Sequence, residues 1–119
     1  MKRRIKLIKV KPLLNSKDPQ IQERLKLVET MATDLMTKYS VGHLKFKFTG
    51  AIKEYGSCDG KTIRLSVNRA LNHKIDYVKN TLLHEIAHAI VGLHNGHREV
   101  WQIKAKELGV VWRQGHYRK

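Results

Sequence analysis

The chain is short of several things at once. Its 119 residues include one cysteine, two prolines, and ten acidic residues against 24 lysines and arginines. With Cys58 as the lone thiol, neither an internal disulfide framework nor a CxxC…CxxC zinc ribbon can form, so any metal ion must find other ligands. No stretch approaches the roughly 18 consecutive apolar residues that a membrane-spanning helix requires, which argues against a membrane role and for a soluble globular chain. The basic opening "MKRRIKLIKVKPLLN" has lysines interrupting its apolar positions and no small-residue cleavage site, so it does not read as a signal peptide. A cytoplasmic protein is the expectation. Repeats, low-complexity segments and Pro/Gly/Ser linkers are also absent, and the length then predicts one domain over residues 1–119 with a single modest core.

What the chain has in excess is positive charge, +14 overall. The excess is not a tail: residues 1–50 carry 12 basic and 4 acidic side chains, and residues 51–119 carry 12 and 6. Such a field attracts polyanions, of which nucleic acid is the commonest in a cell, with an affinity that falls steeply with salt. DNA is therefore an expected partner.

Hydrophobic spacing outlines the elements. Ile5, Leu7 and Val10 alternate loosely in a short strand or arm. Asp18-Pro19 reads as an N-cap with proline in the first helical turn, and Ile21, Leu25, Val28, Ala32 and Leu35 recur at helical spacing to about Lys38. "HLKFKFTG" alternates like a half-buried strand, and "YGSCDGKTIRLSV" adds a turn at Asp59-Gly60 and a β-branched run from Thr62 to Val67. These segments predict a small antiparallel sheet. The pattern turns helical again from about Ile75 to Gly92, and a last helix is expected from about Gly96 to Leu108, stopped by Gly109. The class is α+β.

Inside the second long helix lies "TLLHEIAH". His84 and His88, four residues apart, project from one face of a helix and reach one metal ion. Glu85 stands one step round that face, placed to take a proton from a water at the metal and to act as general base. The neighbouring Leu82, Leu83, Ile86, Ala87 and Ala89 seat the helix in the core and hold these groups rigid. From this chain's own composition, H-E-x-x-H would arise by accident about 0.02 times.

Catalytic zinc takes three protein ligands and leaves one position for water. "VGLHNGHREVW" offers His94 and His97. His97 is favoured, because it opens the next helix four residues before Trp101, whose indole can fix that helix against the core. His94 stands at the offset of H-E-x-x-H-x-x-G-x-x-H, although Val91 occupies the glycine position of that pattern. Glu99 and Glu107 are the carboxylate alternatives. Cys58, without a readable histidine partner, is expected to be a partly buried structural thiol. The tail "VVWRQGHYRK" interleaves Trp112 and Tyr117 with basic residues, a composition suited equally to stacking bases and to keeping the chain soluble. Tyr55, His116 and Tyr117 are reachable by a substrate but read as ordinary surface residues.

The segment "TLLHEIAHAIVGLHNGHREVWQIKAKELG" resembles the active-site region of the SprT-like metallopeptidases, the family of the DNA–protein crosslink protease Spartan. "EYGSCDGKTIRLS" is similar to that family's G-x-C followed by an I-x-L strand, so the likeness spans about residues 18–109. It implies a zincin-like fold with an N-terminal helix, a three-stranded sheet, the HExxH helix and a C-terminal supporting helix. It also implies zinc on His84, His88 and His97, Glu85 as base, and Trp101 at the aromatic position after the third histidine. Arg98 stands where the family usually has glycine. The expected activity is zinc-dependent endopeptidase action on DNA-associated or DNA-crosslinked proteins, in the setting of DNA repair. Two other readings are kept beside it: a basic nucleic-acid-binding module with structural zinc and vestigial activity, and a small HExxH peptidase that cleaves one regulatory protein.

Overall fold

A computed structural model describes residues 17–111 apart from residue 52. The arm expected around residues 5–10 and the tail with Trp112, His116 and Tyr117 lie outside the described residues. The element order is α1 (Pro19–Lys38), β1 (Lys45–Thr49), β2 (Gly56–Cys58), β3 (Thr62–Ser66), α2 (Val67–Asn72), α3 (Ile75–Val91), a 3-10 turn (Leu93–Asn95) and α4 (Glu99–Leu108). No helix among the described residues is long and apolar enough to cross a membrane.

α1 starts as its sequence directs. The Asp18 side chain accepts from the Gln20 backbone N–H at 2.8 Å, and Pro19 occupies a position where its missing N–H costs nothing. Its apolar stripe of Leu25, Val28, Ala32, Leu35 and Met36 is buried in a core shared with Ile63, Leu65, Val78, Leu82, Ile86 and Trp101.

The sheet corrects one expectation. It is mixed, not antiparallel: the strand order is β1-β3-β2, with β1 parallel to β3 and β2 antiparallel to β3. The Asp59-Gly60 turn makes the expected hairpin of β2 and β3, but β3 returns between its two predecessors, so it shares its direction with β1. Alternation reports which face a side chain takes, not which strand lies beside it. As the central strand, β3 buries Thr62, Ile63, Leu65 and Ser66.

Register then places the site. Gly56 pairs with Leu65 and Cys58 with Ile63, so both lie on the side of the sheet that faces α3. A Cβ added at Gly56 would stand 3.0 Å from Thr81 Cγ2, 3.1 Å from the Arg64 carbonyl oxygen and 3.3 Å from Glu85 Cγ. Glycine is what lets the edge strand come this close to the helix.

The β3–α2 junction is a second correction. The β-branched run was expected to continue to Val67, yet the strand stops at Ser66, whose Oγ accepts from the Arg69 backbone N–H at 3.2 Å and donates to the Ala51 carbonyl at 2.8 Å. One serine ends the strand and caps the six-residue α2. Arg24 of α1 clasps the far end of α2, donating to the Ala70 carbonyl at 2.8 Å and the His73 carbonyl at 2.6 Å.

At the hairpin, the Asp59 carboxylate accepts from the backbone N–H groups of Lys61 (2.9 Å) and Thr62 (2.8 Å) and pairs with Arg64 at 3.0 Å. These backbone donors first, and Arg64 next, hold its pKa down at about 2. A depressed carboxylate pKa stabilises the fold above the unfolded value of about 4, and that stability is lost as pH falls toward the folded value. Asp59→Ala is thus expected to lower the urea midpoint near neutral pH, with the gap to wild type closing as pH drops from about 4 to about 2. A constant gap across that window would remove Asp59 from the acid response.

Candidate metal centre

α3 carries His84 and Glu85 almost wholly buried, at 5% and 7% exposure, and His88 half-buried in its last turn. Burial of such groups is tolerable only where neighbours satisfy them. The helix stops at Gly92, with φ 99°, a conformation that suits glycine. The 3-10 turn follows, and Gly96, at φ 53°, turns the chain back.

That return delivers His97. The last helix was expected to begin near Gly96 with His97 in it; it begins at Glu99, and Arg98 before it has extended backbone (φ −70°, ψ −179°). His97 therefore sits on the approach to α4, which frees its side chain to aim at α3. Its carbonyl accepts from the Gln102 side chain at 2.8 Å, which pins the approach to the first turns of α4.

Three imidazoles converge. His97 Nε2 lies 3.0 Å from His84 Nε2 and 3.2 Å from His88 Nε2. The three residues form a group able to hold a metal ion. Nitrogens each about 2.0–2.1 Å from one tetrahedral ion stand about 3.3 Å apart, so the donor set fits a small, borderline-soft cation such as zinc with little movement. His88 also lies at the C-terminal end of α3, where the helix dipole favours positive charge.

Trp101 backs the cluster. It is fully buried, and its ring centroid lies 4.6 Å from that of His84, 5.2 Å from His88 in a stacked arrangement, and 4.7 Å from His97. Its indole N–H donates to the His84 carbonyl at 3.3 Å. A buried tryptophan contributes about 3–5 kcal/mol by truncation, so this contact matters to the fold as well as the site.

The Glu85 Cγ lies close to β2, 3.3 Å from where a Cβ at Gly56 would stand. Cys58 shares that side of the sheet. Burial pushes its thiol pKa up, and the negative charge of Glu85 adds to the effect. It stays a protonated thiol near neutral pH, in keeping with the structural role expected of it. His94 and Glu99 are exposed, and Glu107 pairs with Lys104 at 2.7 Å. None of these alternatives joins the cluster.

A family model describing SprT-like proteins matches residues 21–116, most of the chain. The chain belongs to the SprT-like family. No curated protein and no solved structure matches it significantly. Membership points to a metallopeptidase-type domain, in agreement with the histidine cluster. The SprT-like match runs over most of the N-terminal helix, the sheet and both helices of the site, and overlaps nearly all of the residues 18–109 on which the sequence resemblance was drawn.

Two features of this SprT-like chain had no signal in the sequence. One is the seating of Glu85 against the edge strand through Gly56. The other is Arg69, which donates to Thr81 Oγ1 at 3.0 Å, one turn before Glu85 on α3. The geometry predicts that His97→Ala lowers zinc affinity by more than the roughly 10–100-fold cost of losing a supporting partner, while His94→Ala leaves it unchanged. Competition with a chromophoric chelator measures both, and the reverse order would reassign the third donor.

Proposed function

We propose that the protein is a zinc-dependent endopeptidase of SprT-like type, with zinc held by His84, His88 and His97 and with Glu85 as general base. The observation that carries this reading is the convergence of three imidazole nitrogens from two elements beside a buried glutamate on the same helix. When bound, zinc supplies a water acidified toward a pKa of about 7 and a Lewis acid for the peptide carbonyl.

The chain's own residues do the rest. The three histidines are neutral donors, so the site keeps a net positive charge that favours a carboxylate next to it. Glu85 takes a proton from the attacking water and delivers it to the departing amine nitrogen, which makes one residue base and then acid. Its burial keeps bulk water from competing for that proton. The edge strand β2 runs past Glu85, held close to it by the absence of a side chain at Gly56. Trp101 prevents the histidines from turning aside, since its ring touches all three.

Substrates are proposed to be proteins associated with or crosslinked to DNA. The net charge of +14 supports this, because the strand and whatever is attached to it would be drawn to the same surface.

Glu85→Gln is expected to bind zinc and fold as the wild type does while losing at least about 100-fold in cleavage of casein or histone. The assay is run with and without single-stranded DNA, and stimulation by DNA is expected for the wild type only. Full activity in the variant would remove Glu85 from the chemistry.

A further inference from the structure

A cavity of about 660 Å³ opens at the N-terminal end of α3, between that helix, the end of α1 and the chain leaving α4. None of His84, Glu85, His88 and His97 lines it. Its volume falls within the range of small-ligand pockets, about 300–1,000 Å³.

Its chemistry is specific. Tyr39, Tyr55 and Tyr77 are in its wall, with Lys38, Arg69 and Lys79, while Asp76 is the one carboxylate among the lining residues. Leu35, Leu83 and Leu108 give it an apolar floor. Two of the tyrosines are exposed, Tyr55 at 39% and Tyr77 at 56%; the Tyr55 ring already carries the Arg69 guanidinium and the His73 ring, which leaves Tyr77 for stacking. Arg69 is held between them, its guanidinium 4.1 Å from the Tyr55 ring centroid and 5.8 Å from that of Tyr77. The hydrogen bonds of Arg69 to Thr81 Oγ1 and to the Tyr77 carbonyl fix the wall in place.

We infer that this recess takes one unpaired nucleotide of a single-stranded nucleic acid, its base stacked on Tyr77 over the apolar floor and its phosphate facing Lys38 and Lys79. This rests on the nucleic-acid part of the function proposed above and gives it a seat. A flat apolar ring and an obligatory negative charge in one unit are what the lining selects, and every nucleotide has both. A base inside a duplex is already stacked and cannot enter, so the strand must be single. The field of +14 favours a polymer of phosphates over a free nucleotide. Tyr77 and Glu85 are eight residues apart on one helix, so the bound base lies about 12 Å along α3 from the proposed scissile site. A protein carried on that strand is thereby brought to the metal centre.

The test is fluorescence anisotropy with a labelled oligothymidylate and an abasic strand of the same length. Tyr77→Ala is expected to weaken oligothymidylate about tenfold and to leave the abasic strand unchanged, with Tyr77→Phe restoring wild-type affinity. Lys79→Ala should weaken both strands and reduce the salt slope by about one, whereas Lys26→Ala, outside the recess, should leave the discrimination between base and abasic strand intact. Equal affinities of wild type and Tyr77→Ala for oligothymidylate overturn the assignment, as does tighter binding of free thymidine monophosphate than of the strand. Zinc content and casein cleavage are read on the same samples. Absence of cleavage with the recess pattern intact would sink the peptidase reading alone, and cleavage with no recess pattern would sink the recess alone.

Discussion

Everything in the site depends on one contact, the closure of the Trp101 indole against the three histidines. Two imidazoles are placed by a single helix, whose spacing needs no help from elsewhere. The third arrives from a separate element across two glycine-bearing turns, and its position is only as good as the docking of α4 on α3. Trp101 provides that docking with a fully buried ring and a hydrogen bond to the backbone of His84. Beyond α4, Asn80 makes a paired hydrogen bond with the backbone of Val111, donating to its carbonyl at 3.2 Å and accepting from its N–H at 2.7 Å. α4 is therefore fastened to α3 at both ends, which turns a loop-borne histidine into a fixed one.

The sheet performs the complementary task on the other side of α3. Its edge strand approaches so closely that a side chain at position 56 would crowd Thr81, the Arg64 carbonyl and Glu85, and this brings the strand alongside Glu85. Ser66 and Arg24 lock the turn that follows the sheet, so the N-terminal end of α3 begins at a defined place. His84, Glu85 and His88 thus share one stretch of helix, with Trp101 packed against the histidines and β2 close to the glutamate.

How much of this was legible follows from the range over which each signal acts. His84, Glu85 and His88 could be read because their relation is set within one turn of helix, and the apolar residues around them declare that helix. Trp101 was legible for the same reason, four residues from His97. The parallel pairing of β1 with β3 was not, because Phe46 and Phe48 alternate identically whichever neighbour they have. α2 escaped notice because Val67 prolongs a β-branched run, and the capping ability of Ser66 shows only when the chain turns. The start of α4 was misplaced because the extended Arg98 interrupts what looks like helical spacing. The tyrosine recess draws Tyr39, Tyr55, Arg69 and Tyr77 from four segments, and no periodicity connects them.

A central claim remains that three imidazoles and no thiolate surround the metal, with one position left for water. X-ray absorption at the zinc edge of the reconstituted protein tests it most directly. The expected first shell is three imidazole nitrogens and one oxygen at about 2.0–2.1 Å. A sulfur shell at about 2.3 Å, which would place Cys58 on the metal, or a fourth nitrogen closing the site, would contradict it.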